Sequence, residues 1–318
     1  MLLAVEFAAG LLILIVGAHY LVEGAASIAK RFNISNLAIG LTVVAFGTTA
    51  PEFVVNLIAA LQNKPMLSVG NVLGSNIANI FLVLGIAALV YPIKVKRHIV
   101  IKEIPFAILM TLIVAVLAND KFIDGRAVSH LTRTDGIVLI AFFLIFIYYT
   151  FSFARNKVSD ENGVIELSKG RTAISLAAGL VGLAVGGQLV VSGAVSAISR
   201  FELSETTGGL LILAVGTSLP ELTTAIIASL KHHPNLAIGN IIGSNLFNLL
   251  WILGINSMIR PIPFNMSTNY DFGVVIFANL VLLATCYFGR KRLEIERREG
   301  ILYLFLYGLY VANLLINV

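Results

Sequence analysis

The chain has 318 residues, 58% hydrophobic and 12% charged, with mean hydropathy +0.93, formal net charge +5 and a pI near 9.3. Soluble domains carry roughly 25% charged residues, so this chain has too little polar surface to face water and no room for a large soluble domain. Its basic residues sit in short loops rather than in a patch or stripe, which excludes a nucleic-acid surface.

A bilayer core needs about 20 apolar residues per helix. Apolar runs between polar breaks predict ten spans at 3–29, 37–62, 67–91, 100–118, 136–154, 172–199, 206–230, 236–259, 270–289 and 300–317. Barrel strands would be about 10-residue alternating segments, which these long unbroken runs are not. The first run lacks the basic flank and small-residue cleavage site of a signal peptide and reads as the first mature span. With the N-terminus outside, the inner loops hold 16 Lys and Arg and the outer loops 6. The positive-inside rule then places both termini extracytoplasmic. Three residues of the outer loop 119–135, Asp120, Asp124 and Asp135, lack the spacing of a calcium loop. The single cysteine, Cys286, cannot form an internal disulfide or a metal cluster and reads as a packing residue. The basic run Gly289-Arg290-Lys291-Arg292 with Arg297 and Arg298 reads as an inner-face orientation anchor or lipid-headgroup contact.

Residues 40–85 and 209–254 align without a gap at an offset of 169, with 20 of 46 positions identical. The chain is therefore a duplicated five-span unit: 1–154, a cytoplasmic linker at 155–171, and 172–318. Five is odd, so the copies are inverted in the bilayer. Inverted repeats mark secondary transporters that alternate access around a midplane site. The predicted fold is all-α: ten transmembrane helices in two inverted five-helix repeats, with helices 2 and 7 broken near the midplane.

The breaks follow from Gly47-Thr48-Thr49-Ala50-Pro51-Glu52 and Gly216-Thr217-Ser218-Leu219-Pro220-Glu221. Proline removes a backbone donor and clashes with the preceding turn. Irregular backbone at membrane depth survives only inside protein or along a cavity. Glu52 and Glu221 lie near mid-span, where a charge costs at least ~2.5–3.5 kcal/mol on insertion scales. The nearby spans hold no basic partner, so the pair needs a bound cation or a proton. A second matched motif runs Gly70-Asn71 to Gly74-Ser75-Asn76 to Asn79, and Gly239-Asn240 to Gly243-Ser244-Asn245 to Asn248. Ser75 with Asn79, and Ser244 with Asn248, share a helix face at four-residue spacing; each face offers a hydroxyl and an amide oxygen towards the carboxylates, and Asn79 and Asn248 read as ion ligands. The glycines suit close helix approach. Carboxylate, hydroxyl, amide and carbonyl oxygens are hard donors that suit Ca2+, and no Cys or Met accompanies them to favour a softer metal. Na+ accepts the same oxygens. Composition alone does not choose Na+ over H+ as the coupling ion.

The paired GTTAPE/GTSLPE and GNxxGSNxxN segments resemble the α-repeats of the Na+/Ca2+ exchanger family, in the cation/calcium antiporter superfamily, in a compact prokaryotic-type form. The resemblance implies a site where helices 2, 3, 7 and 8 meet. Carried over by motif, the Ca2+ ligands would be Glu52, Glu221 and the carbonyls of Thr48 and Thr217. Na+ sites would add Thr49, Ser218, Ser75, Ser244 and the carbonyls of Ala45 and Ala214. Spans 1 and 6 would slide across this core. Asn248 stands where some members, including potassium-dependent ones, carry Asp; an Asn there looks like a potassium-independent exchanger. The linker is too short for the cytosolic Ca2+-sensing domains of animal exchangers. Proton-coupled relatives usually differ around the acid, which lowers the H+/Ca2+ alternative. A channel or an intramembrane hydrolase fits less well, since no span offers a nucleophile with a base. The expectation is thus an antiporter and not an enzyme, with Ca2+ and Na+ as substrates, the bilayer as partner, no cofactor, no obligatory protein partner and a prokaryotic plasma-membrane location. His19 and Gln188, at matched positions, read as hydrogen-bonding across helices, and Glu23 as interfacial or hydrogen-bonded.

Overall fold

A computed structural model of the chain describes residues 2–62, 64–125, 127–154, 166–201, 210 and 213–316. Among them, eight helices are long and apolar enough to cross a membrane. A further crossing is the pair Asn36–Thr48 and Ala50–Leu61, bent by 47°. Its repeat-mate is Ala214–Thr217 followed by Leu219–Leu230. The start of that span, at 202–209, 211 and 212, and the linker at 155–165 lie outside the described residues.

The sixth helix runs Lys169–Phe201, so residues 169–171 belong to it and not to the linker. Ser168 sets this start: its carbonyl accepts from Thr172 N at 2.8 Å and its hydroxyl from Arg171 N at 3.4 Å, the work of an N-cap residue.

The inversion is visible in how the repeat-mates pack. A Cβ on Gly17 would meet Leu183 N at 2.8 Å, and one on Gly24 would meet the Leu176 side chain at 2.8 Å. Later residues of the first helix therefore face earlier residues of the sixth, and the two run antiparallel. The backbones approach this closely because glycine faces meet. Cross-repeat contacts are mirrored. A Cβ on Gly74 would lie 2.7 Å from the Leu210 carbonyl and Ala214 Cβ, and one on Gly243 would lie 2.7 Å from the Leu41 carbonyl and Ala45 Cβ.

The third and eighth spans form the centre. Met66–Val90 is 83% buried and Pro234–Ile259 94%, against 17% for Arg297–Ile316 at the periphery. Matched positions also share backbone geometry: Thr49 has φ −79°, ψ 0° and Ser218 φ −80°, ψ 1°. Tyr91 and Arg260, which end the third and eighth spans, have φ −148° and −147°, both with ψ 128°.

Two small antiparallel sheets were not predicted from the sequence. β1 (Ile93–Lys94) pairs with β4 (Glu294–Ile295), and β2 (Ser129–Leu131) pairs with β3 (Ile262–Phe264). Each joins a loop of one copy to a loop of the other. Each also requires its two loops to lie at the same end of the molecule, as the ten-span alternation has them. Cys286 is buried in the core.

Overpacking a tight helix contact costs typically 1–3 kcal/mol. Gly243→Ala should therefore lower the thermal unfolding midpoint of the detergent-solubilised protein. Gly308→Ala, where a Cβ meets nothing within 4 Å, should leave it unchanged or raise it. Unfolding followed by size-exclusion fluorescence checks both.

Candidate functional site at the repeat interface

The breaks in the second and seventh spans are one residue long. The helical ladder passes from Thr49 N→Ala45 O (2.9 Å) to Phe53 N→Thr49 O (3.0 Å), skipping the carbonyls of Gly47 and Thr48. Pro51 has no N–H to offer Gly47, and its preset φ suits the first turn of the half-helix beyond. The mirror ladder runs Ser218 N→Ala214 O (3.1 Å) and Leu222 N→Ser218 O (3.0 Å), skipping Gly216 and Thr217. The second span is thus sharply bent, by 47°, rather than unwound, and the seventh breaks at the matching residue, Ser218. The freed carbonyls, Thr48 and Thr217 among them, precede the glutamates of their own half-helices by about one helical turn.

Both glutamates are fully buried, at 0% exposure. They fall in the first turn of Ala50–Leu61 and of Leu219–Leu230, where the positive end of the helix dipole favours a carboxylate. The two copies meet here. Glu221 Oε1 accepts from Ser244 Oγ at 3.1 Å and lies 3.3 Å from the Thr49 hydroxyl of the other copy. The Thr49 hydroxyl also lies 3.0 Å from Ser244 Oγ. Both oxygens of Glu52, and Glu221 Oε2, are buried with no hydrogen-bond partner.

The threonines before the breaks are held by the central spans. Thr48 donates to Asn240 Oδ1 at 2.9 Å and lies 3.3 Å from Ser244 Oγ. In mirror fashion Thr217 donates to Asn71 Oδ1 at 3.2 Å and lies 3.3 Å from Ser75 Oγ. Ser218 Oγ is buried without a partner. The Ala45 and Ala214 carbonyls are already engaged. Ala45 O accepts from Thr49 N and lies 3.2 Å from the Thr48 hydroxyl, and Ala214 O accepts from Ser218 N and lies 3.4 and 3.5 Å from the Thr217 and Ser75 hydroxyls.

A four-asparagine cluster sits where the third and eighth spans face each other. Asn79 Nδ2 donates to Asn245 Oδ1 and Asn248 Nδ2 to Asn76 Oδ1, both at 3.0 Å. The carbonyl oxygens Oδ1 of Asn79 and Asn248 are buried and unpartnered. A π-helical turn begins at Asn79 in one copy and at Phe247 in the other. Such turns recur at functional sites because the wider turn re-aims a side chain. The sequence reading took Asn79 and Asn248 as ligands and gave no role to Asn71, Asn76, Asn240 or Asn245. Their signal was the recurrence of each amide at the same place in both copies.

All twelve residues singled out from the sequence thus lie on the broken second and seventh spans and the central third and eighth. Among the described residues no lysine or arginine is buried, and no cluster of three His, Cys, Asp or Glu side chains exists. The donors are oxygens, and the charge to be balanced is that of two carboxylates. Away from this centre, Glu23 binds Lys231 at 2.8 Å, and His19 lies 3.4 Å from Glu23 and 3.5 Å from Lys231. His19 therefore meets an ion pair that links the first span to Lys231, the residue that caps the seventh-span helix.

Two antiparallel copies closed over a buried, anionic oxygen cage define an integral membrane transporter of the inverted-repeat class. The profile of the family described as "Sodium/calcium exchanger protein" matches residues 2–152 and 172–316. The chain is similar to "Sodium/calcium exchanger MaX1" of Methanosarcina acetivorans, with 30% identity over 340 residues, covering 96% of each chain. It is 34% identical over 306 residues to "Inner membrane protein YrbG" of Escherichia coli, covering 92% of this chain and 90% of that one. Its fold matches a solved structure of the sodium-calcium exchanger NCX_Mj with TM-score 0.81 and 32% identity, covering 98% of both chains. The chain belongs to the sodium/calcium exchanger family.

Proposed function

We propose that the chain exchanges Na+ for Ca2+ across a prokaryotic plasma membrane by alternating access. The observation that carries this reading is the pair Glu52 and Glu221: fully buried, contributed one by each inverted copy, and without a basic neighbour among the described residues. Two carboxylates balance one divalent ion. Ca2+ takes six to eight oxygens at 2.3–2.6 Å in flexible geometry, and the site offers carboxylate, freed carbonyl and amide oxygens together. Ca2+ is assigned to Glu52, Glu221 and the carbonyls of Thr48 and Thr217. Na+ ions are assigned to the same carboxylates with Thr49, Ser218, Ser75, Ser244, Asn79 and Asn248. The Ala45 and Ala214 carbonyls would join them by exchanging a protein donor for the ion. A cage emptied of one charge set is left with uncompensated buried carboxylates, which is costly. Crossing between the two open states is therefore favourable only with Ca2+ or Na+ aboard, and this couples the two fluxes. MaX1 and NCX_Mj are sodium/calcium exchangers, which supports the choice of ions.

The chain divides in this reading into a first repeat at 1–154, a cytoplasmic linker and a second repeat ending at 318, with both termini outside. The strand pairs support the alternation of spans, since β1 pairs with β4 and β2 with β3, each pair from loops that the ten-span order puts on one side; the placement of both termini outside rests on the distribution of Lys and Arg.

Three outcomes are expected. Proteoliposomes loaded with Na+ should take up Ca2+ in Na+-free medium, and a proton gradient alone should drive none; uptake driven only by protons would assign H+/Ca2+ exchange instead. Removing one charge from a buried set costs about 3–5 kcal/mol. Glu52→Gln and Glu221→Gln should each lower ion affinity by two or more powers of ten and abolish uptake. In intact cells, Asp124→Cys should react with an impermeant maleimide from outside, and Arg298→Cys only after permeabilisation.

A further inference from the structure

The four-asparagine cluster contains a built-in order. An amide side chain presents an oxygen to one side and an NH2 to the other, and only the oxygen can face a cation. Asn79 and Asn248 could each be turned either way by rotation about one bond. Their neighbours decide. Asn76 Nδ2 donates to the backbone carbonyl of Asn245 at 3.4 Å, and Asn245 Nδ2 donates to the backbone carbonyl of Asn76 at 3.4 Å. A backbone carbonyl accepts and never donates, so it fixes the NH2 side of Asn76 and of Asn245. Their Oδ1 atoms must then face the other way, where they can only accept. The amides of Asn248 and Asn79 meet them with their NH2 groups at 3.0 Å. Both NH2 groups are thereby drawn aside, and Oδ1 of Asn79 and of Asn248 is left buried with no protein partner.

We infer that Asn76 and Asn245 are positioning residues: each uses a backbone carbonyl of the opposite repeat as a reference and locks one ion-facing amide, Asn248 or Asn79, with its oxygen toward the cation. Both act through another side chain and touch no ion. The arrangement crosses between copies. Asn76 on the third span orients Asn248 on the eighth, and Asn245 on the eighth orients Asn79 on the third. Cross-linking of this kind also holds the two central spans in register, so the amide oxygens keep their place while the first and sixth spans slide. All four side chains are buried, at 0–3% exposure, so water cannot replace the lost partner without entering the site. The inference rests on the reading of the central cavity as the ion site.

The test is a double-mutant cycle on Ca2+ uptake by proteoliposomes under a Na+ gradient. Loss of an outer partner that orients a metal ligand typically costs 10–100-fold in affinity. Asn76→Ala should raise KM for Ca2+ by about tenfold or more with a smaller change in maximal rate. A carboxylate at position 248 has oxygens on both ends and nothing to misorient. In an Asn248→Asp background Asn76 Oδ1 faces a carboxylate oxygen with no hydrogen to accept, so adding Asn76→Ala should leave KM for Ca2+ unchanged within about twofold or lower it, the cycle being strongly non-additive. A merely structural role for Asn76 would give the same loss in both backgrounds, and that result overturns the inference. The mirror cycle of Asn245→Ala with Asn79→Asp decides the matter if the first variant does not fold. Wild-type KM in Asn76→Ala, with Glu52→Gln inactive, would remove this inference alone. Full uptake by Glu52→Gln would remove the reading of the site itself.

Discussion

A carboxylate pair at 0% exposure brings as much as two negative charges into a region where no described lysine or arginine is buried. Burying an uncompensated charge is costly enough that it must be met by an ion or a proton. Every other feature of the centre follows from that demand. The bends at Thr49 and Ser218 put each glutamate at the start of a half-helix and free the carbonyls before it. The glycines at 74 and 243 let the broken spans press against the central ones. The asparagines close the remaining side with oxygens. None of these features is cheap by itself in a membrane, and each is explained by a cation that all of them serve.

The inverted copies agree at the centre and differ beside it. From the Glu52 carbonyl a polar chain runs through Asn56 Nδ2 (2.6 Å), then Ser68 to Asn56 Oδ1 (2.6 Å) and Asn256 to Ser68 (2.9 Å). At the offset of 169 the three matching positions are Ala225, Ala237 and Ala87. The Glu52 half-helix is thus tied to the third and eighth spans by hydrogen bonds that the Glu221 half-helix lacks. The latter is instead followed by Lys231, whose ion pair reaches Glu23 on the first span. These unmatched contacts make the two copies unequal around a common centre.

Much of this was legible in the sequence because duplication writes each functional residue twice. The ten spans, the inversion, the proline-marked breaks and the glutamate pair all follow from spacing and an odd span count. The features that escaped depend on contacts between distant residues. β1 and β4 are two residues long, too short for an alternating pattern, and exist only because two loops meet. The π-helical turns at Asn79 and Phe247 have no composition of their own. The roles of Asn76 and Asn245 depend on a backbone carbonyl 169 positions away. Three helices start three residues before their expected spans, at Arg133, Lys169 and Arg297; at Lys169 the local signal was Ser168, outweighed by the charges of Lys169 and Arg171.

The central claim is that one divalent cation is shared by Glu52 and Glu221. Calorimetric titration of the purified protein with Ca2+ in Na+-free buffer tests it most directly. The account predicts a single Ca2+ bound per chain, displaced by added Na+, with the heat of binding gone when both glutamates are replaced by glutamine. Undiminished Ca2+ binding by that double variant would contradict it.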